Sequence, residues 1–559
     1  MNRILLLLTF IVLVSTRGQA QTASRVQSAA LWSVQEFSFV TSAPRSNHYV
    51  ETDLKAVFTG PAGVRQIVRG FWDGGNTFKI RFTPTAVGRW SYTTESSDKN
   101  LNAKRGSFVC TKAASGARGF LRRDPAHPYH FIFDDGTRHF MFGTTYYGLM
   151  QNAMAGERWK EAVDKARAYG INKVRMVVAP PFGSRHEKVK YPAASGFVAD
   201  DRDRPDPAHW RRLDEVVRYM AERGITADLI LYWNSDRSYG TPAQDECFTR
   251  YCISRYAAYP NVVWCITNEW NYTPKPIEYW NRMGTLAKAE DPYAARGDYL
   301  RLLSIHQQTR HDFQFFDQTW LSHAIVQLGV RNQGKTFRSG NEWKANNAAE
   351  EGRTFRHGDE WGNFSITYNW GHNMPIVNDE YGYIGEPQDQ SMPKDAAGNY
   401  PRLTRDKHRH IMWGIAAASG YAAAGDKNSY TDGAPYFSAN WHDAPEYADI
   451  KHLVDFWTNK NIEYWKLGTN NALVKHGTRV YATAEAGRQY VIYAAAGGAF
   501  ALNLPKGDYV ARRFDPRTGA DVALRDVRGG VQDFTMPDNQ DWVIYLRARS
   551  TNARRANKN

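Results

Sequence analysis

Cysteine is scarce: four residues, Cys110, Cys247, Cys252 and Cys265, in a chain of 559. So few over such a length cannot form the disulfide framework of a small secreted domain, and their spacing matches no zinc pattern. Cys265 sits inside an apolar run and reads as a small buried hydrophobe. Cys247 and Cys252 are near enough in sequence to bridge, and the residues alone do not decide whether they do. There is no HExxH motif and no Gly-rich phosphate fingerprint, so metalloprotease chemistry and dinucleotide binding lack their signatures. No metal and no cofactor are expected.

Long apolar runs are also missing, with one exception at the start. MNRILLLLTFIVLVSTRGQA has Arg3 in a short basic opening, an apolar stretch from Ile4 to Val14, and small residues Gly18 and Ala20 before Gln21. This reads as a secretory signal peptide cut near Ala20, because the stretch is shorter than the ~20 residues that span a bilayer. An exported protein, secreted or periplasmic and without stable membrane insertion, is the expectation. Charge narrows the function little. Of the net +14, Arg3 and Arg17 belong to the leader and Arg547, Arg549, Arg554, Arg555 and Lys558 to the tail, which leaves +7 interspersed with acids. That surplus suits an acidic glycan or a merely solvated surface, and nucleic-acid binding has only the basic tail behind it.

What the chain has in quantity is aromatic side chains, 14% of the residues, with 18 Trp and 31 Tyr. Length alone implies several domains, since single cores stop growing at roughly 250–300 residues. From 22 to 113 the text is strand-like. TFKIRF places Phe78, Ile80 and Phe82 on one face, and Trp90 and Tyr92 repeat the device. Turn signals at Gly60-Pro61, Asp73-Gly74-Gly75 and Gly88 lie between, so a small antiparallel β-sandwich is expected. Beyond Gly119 the period changes. RRLDEVVRYMAERG sets Leu213, Val216, Val217 and Met220 on one helical stripe ending at Gly224, and a strand-like ITADLILYW follows at once. ERWKEAVDKARAYG, ending at Gly170, and INKVRMVVAP write the same unit earlier. With Phe140 to Thr145, Val262 to Thr267, Leu300 to His306, Ala324 to Leu328, Pro375 to Asn378 and Gly420 to Ala424, eight candidate strands emerge. These fit a (β/α)8 TIM barrel over 119–467 with long loops after strands two, five and six; an open doubly wound sheet is the alternative. Residues 470–547 return to strand-like text, a second small sandwich, and 548–559 read as a disordered tail.

Two of the apolar runs end in a carboxylate. NVVWCITNEWNYTP stops at Asn268 and Glu269, and MPIVNDEYGYIGEP at Glu380. In such a barrel, reactive side chains sit at the C-terminal ends of strands, so Glu269 on strand four and Glu380 on strand seven face one another across the mouth. Two facing carboxylates are what glycoside hydrolysis requires. Asp379 adjoins Glu380, but side chains alternate at a strand end and only one of the two points into the pocket. Tyr146, Tyr147, Trp233, Trp270, Tyr381 and Tyr383 lie just past strand ends, and such rings suit sugar faces.

The Asn-Glu ending of strand four together with a strand-ending Glu on strand seven resembles the clan A glycoside hydrolases, retaining enzymes on (β/α)8 barrels. GFWDGGNTFKIRFTPTAVGRWSY, from Gly70 to Tyr92, is similar to the domain of unknown function 5060, and FIFDDGTRHFMFGTTYY resembles family 4038, which includes apiose-releasing glycosidases. There an Asp commonly follows the glycine of the first strand, where this chain has Thr144 after Gly143. ARRFDPRTG resembles a collagen-binding-type β module. The resemblance implies Glu269 as acid/base and Glu380 as nucleophile, Asn268 on the sugar 2-hydroxyl, Arg175 keeping Glu380 ionised, and His306 binding substrate. The expected function is an exported retaining glycosidase acting on a plant, algal or microbial polysaccharide or oligosaccharide. A non-catalytic carbohydrate-binding protein and a polysaccharide lyase are the alternatives. Neither the sugar nor the oligomeric state is legible.

Overall fold

Eight apolar runs lie side by side as a parallel sheet that returns upon itself. The structure is a computed structural model and describes residues 27–180, 195–234, 238–308, 312–328, 357–384, 396–398, 404–426 and 444–549. The expected leader, nearly all of the basic tail and much of the segments after strands two, six, seven and eight fall outside the described residues, whereas only 309–311 do so after strand five. Strands one to four are Phe142–Thr145, Lys173–Val177, Thr226–Tyr232 and Val262–Thr267. Strands six to eight are Ala324–Gln327, Ile376–Asn378 and Tyr421–Asp426. Strand five comes in two pieces: Leu303–Ser304 pairs with strand four and His306–Gln308 with strand six. Strand eight closes the ring by pairing with both seven and one. Strands buried on both faces need no polar alternation, which is why these runs are nearly all apolar.

Helices wrap the ring, as the stripe of Leu213, Val216, Val217 and Met220 requires. All four are fully buried on Pro207–Glu222, whose first turn is capped by Asp206 accepting from the Ala208 N–H at 2.9 Å. Gly224 ends this unit at φ +65°, a left-handed turn that favours glycine. Among the described residues no helix is long and apolar enough to cross a membrane. All four cysteines are free thiols, so Cys247 and Cys252, both on the helix Pro242–Tyr256, are not bridged.

Antiparallel modules flank the barrel. On the N-terminal side a five-stranded sheet, from Ser28–Ala30 to Arg65–Arg69, faces a three-stranded one built of Gln35–Val40, Thr77–Phe82 and Phe71–Gly74. Phe78, Ile80, Phe82 and Trp90 fill the space between them, with Phe58 stacked on Phe82 at 3.8 Å. On the C-terminal side the two layers are one continuous sheet. The strand Ala499–Phe514 pairs with Val527–Thr535 along its first part and with Trp542–Ala548 along its last. An irregularity between Leu504 and Asp508 lets it bend from one layer to the other.

Buried ion pairs fasten the modules to the barrel. Arg81 of the N-terminal sandwich grips Asp214 of a barrel helix through two bonds, at 2.8 and 2.5 Å. Arg255 grips the same carboxylate at 2.9 and 2.7 Å and reaches Asp73 at 2.8 Å. On the other side Arg409 holds Asp541 at 2.8 Å. Burial pushes the Asp214 carboxyl up in pKa, but the two guanidiniums outweigh it and hold it well below the usual carboxylate range. Its stabilising contribution is therefore complete above the unfolded-state pKa and fades as pH falls through it. Asp214→Asn should cost about 3–5 kcal/mol in urea unfolding at neutral pH, since it leaves two buried cations short of a partner. The deficit should shrink as the wild-type protein is acidified below about pH 4. Equal stability of variant and wild type at pH 7 would contradict this account of the seam.

Candidate active site

Within the ring, alternate residues of strand two point inward and carry charge. Lys173 Nζ lies 2.5 Å from Asp379 and 3.2 Å from Asp228, and Arg175 Nε lies 2.9 Å from Asp379. None of the four is more than 1% exposed. Burial disfavours the charge on Arg175, but Asp379 foremost among its neighbours raises its pKa well above the ordinary value, so the guanidinium stays charged. Burial and the nearby Asp379 raise the Asp228 carboxyl despite Lys173. This paired floor fixes the far end of Arg175. Its Nη2 donates to Asn268 Oδ1 at 3.1 Å, and its Nη1 to Thr145 Oγ1 and the Asp379 carbonyl at 3.3 Å each. The same Nη1 is 3.7 Å from Glu380 Oε2.

Consecutive acids on strand seven thus part company. Asp379 turns down into the floor, whereas Glu380 turns up and receives two phenols, Tyr147 Oη on Oε2 at 2.6 Å and Tyr383 Oη on Oε1. Tyr147 also lies 3.2 Å from Asn268 Oδ1. Burial first, then the negative charge of Glu380, pushes its phenol well above the ordinary tyrosine range, so it remains a neutral donor. Tyr383 reaches the site because the segment Tyr383–Ile384 pairs with strand eight. There Gly425 leaves room for its ring: a Cβ at that position would sit 2.4 Å from the ring carbons. The Trp233 ring meets Tyr147 edge-on at 4.5 Å.

Glu269 ends strand four with φ +47° and ψ +54°, a left-handed conformation uncommon for a residue with a side chain. The turn carries its amide to His306 Nδ1 at 3.3 Å, while Asn234 Nδ2 donates to its Oε2. An Nδ1 that accepts leaves the ring proton on Nε2, which faces Glu380 Oε2 at 4.0 Å. Burial, helped by Arg175 and Lys173, moves the His306 pKa well below its ordinary value, so the ring is neutral. One imidazole therefore touches both glutamate residues, one through its backbone and the other toward its carboxylate.

The cluster brings together Arg175, Asn268, Glu269, His306, Glu380, Tyr147, Trp233 and Tyr383. Three expected residues lie elsewhere. Tyr146 belongs to the strand–helix core beside Tyr447 and Asp426, because Thr145 and Tyr147 take the inward side of this segment. Tyr381 packs on His408 at 5.7 Å, away from Glu380. Trp270 is folded onto Phe315 and gives its indole N–H to Gln307 at 3.2 Å. Sequence reading missed Lys173, Asp228, Asn234 and Gln327. Gln327 shares the inward face of strand six with Ile325, and its Oε1 is buried with no hydrogen bond among the described residues. The polar residues Lys173, Arg175 and Asp228 interrupting apolar runs at even spacing were the available signal. No group of three or more His, Cys, Asp or Glu that could hold a metal occurs among the described residues.

A closed parallel barrel whose fourth and seventh strands end in clustered glutamates has the architecture of a glycoside hydrolase. The chain belongs to the Apiosidase-like catalytic domain family, whose model matches residues 127–463, and residues 28–97 match DUF5060, a domain of unknown function. A candidate glycoside hydrolase from Bacteroides vulgatus ATCC 8482 superposes with a TM-score of 0.72 at 20% identity, covering 94% of this chain and all of that one. A family 5 glycoside hydrolase from the same organism gives 0.60 at 16% identity, over 77% of this chain and 93% of the other. At these identities the likeness establishes the fold. No curated protein matches the sequence.

Tyr147→Phe and Tyr383→Phe each remove one donor from Glu380. A hydrogen bond to a charged group contributes about 1.5–3 kcal/mol, so each should lower kcat/KM by about 10- to 100-fold with little change in melting temperature. Full activity in both variants would show that these contacts do not serve the site.

Proposed function

We propose that the chain is an exported retaining glycoside hydrolase that cleaves a plant, algal or microbial polysaccharide or oligosaccharide. Glu380 attacks the anomeric carbon while Glu269 protonates the departing oxygen, giving a glycosyl–enzyme ester. Glu269, now a carboxylate, takes a proton from the water that releases the sugar and restores Glu380. The observation that carries this reading is the sharing of partners: His306 neighbours both glutamates, and Tyr147 contacts Glu380 and the Asn268 that precedes Glu269. Asn268 accepts from Arg175 through its side-chain oxygen, which leaves its N–H2 as the end to meet a sugar 2-hydroxyl. His306 Nε2, buried and with no hydrogen bond among the described residues, is a second donor for the sugar. Trp233, half-buried against Tyr147, offers a ring face.

Export rests on the leader that ends near Ala20. The mild basic surplus leaves an acidic glycan open as substrate. A lyase would need a deprotonated tyrosine or another strong base beside the sugar, and Tyr147 is held as a neutral phenol. Glu380→Gln should reduce kcat/KM by at least about 10⁴, and Glu269→Gln by about 10² to 10⁴, the span of positioned proton transfer. The Glu269 variant should lose less on aryl glycosides, whose leaving group needs no proton. Proton NMR should show the first-formed product with the anomeric configuration of the substrate. An inverted anomer, or turnover surviving in Glu380→Gln, would overturn the proposal.

A further inference from the structure

A cavity of 330 Å³ lies at the seam between the N-terminal sandwich and the barrel helix Pro242–Tyr256, on the outside of the barrel wall. Tyr49, Arg69 and Trp72 line it from the sandwich side, and Cys247, Arg250 and Tyr251 from the helix. Its volume falls at the lower end of the ~300–1,000 Å³ typical of small-molecule sites, and domain seams are where such sites concentrate. The walls are fixed rather than loose. A single carboxylate, Glu290, ties Arg69 Nε at 2.9 Å and Arg250 Nε at 3.1 Å, and the Tyr49 and Tyr251 rings meet edge-on at 5.3 Å.

Chemistry inside the cavity is that of a ring face with two guanidinium edges. Tyr251 is 6% exposed and Trp72 half-buried, giving flat apolar surface. Tyr49 is 8% exposed, and its Oη is buried beside the Cys247 thiol rather than open to the cavity. The pairs with Glu290 and Glu246 use Nε and Nη2 of Arg69 and Arg250, so among the described residues Nη1 of each is left to donate. These two cations are offset by Glu290 and Glu246 and by Glu51 and Asp53 at the lip, which removes the attraction for an anion. We propose that this seam is an accessory binding site for a neutral saccharide, one or two sugar units long, separate from the glutamate cluster. The two guanidiniums would meet its hydroxyls and the aromatic rings its apolar face.

Cys247 supplies the reporter, because the other three cysteines are fully buried. The full chain carrying Glu380→Gln is treated with dithionitrobenzoate with and without cellotriose, mannotriose or xylotriose, and Cys247→Ser identifies the reacting thiol. At least one trisaccharide should slow modification of Cys247. Trp72→Ala, which removes the half-buried ring face, should weaken that protection up to about tenfold. Val50→Trp, on a lip position 53% exposed, should abolish it while leaving hydrolysis by the otherwise wild-type chain unchanged. Unaltered Cys247 reactivity with all three sugars, or protection that persists in Val50→Trp, would refute the accessory site. Either result would leave the two-glutamate reading standing, since that reading rests on turnover and anomeric configuration.

Discussion

Two cations and two carboxylates sealed inside the barrel organise everything above them. Each ion stripped of water costs several kcal/mol, and the cost is offset here only because Lys173, Arg175, Asp228 and Asp379 face one another at close range in equal number. Arg175 is the member that reaches upward. With its Nε engaged by Asp379, its remaining nitrogens are aimed at Asn268, Thr145 and the rim of Glu380. The placement of Glu380, and of the Asn268 that precedes Glu269, is thus tied to a charge balance one layer below. That also accounts for why Asp379, although adjacent to Glu380, takes no place in the cluster: its carboxylate closes the floor.

Much of the fold was legible because burial on both faces leaves a plain signature. All eight apolar runs became strands of the ring, and the stripe ending at Gly224 became a helix with its cap and its terminating turn. Strand-ending acids were legible for the same reason, since a carboxylate that stops an apolar run marks the point where burial gives way to the barrel mouth. Side-chain direction beyond a strand end was not. Tyr146 and Tyr147 are neighbours in sequence, yet one packs beside Tyr447 and the other bonds Glu380. Tyr381 and Tyr383 divide in the same way, and Trp270 follows a left-handed residue whose turn carries its ring onto Phe315. Such outcomes depend on local backbone turns that no period in the sequence records. The floor was missed because charges inside an apolar run look like interruptions until their partners on other strands are known.

Membership in the Apiosidase-like family sets the reaction class more firmly than the substrate. Thr144, where the resembling family commonly has an Asp, is fully buried on the outward side of strand one, next to Tyr146. The difference therefore falls in the packing of the strand against its helix and not among the groups around Glu380. The flanking modules are more than appendages. Arg81 and Arg409 tie them to barrel helices through buried carboxylates.

The central claim of the proposal is that Glu380 forms a bond to sugar, with Glu269 beside it across His306. Its most direct test is to incubate the enzyme with a 2-deoxy-2-fluoro glycosyl fluoride of the sugar it cleaves and to map the labelled peptide by mass spectrometry. The account predicts a single glycosyl adduct on Glu380 that forms in the wild type and is missing from Glu380→Gln. An adduct on another carboxylate, or stoichiometric inactivation of the Glu380 variant, would contradict it.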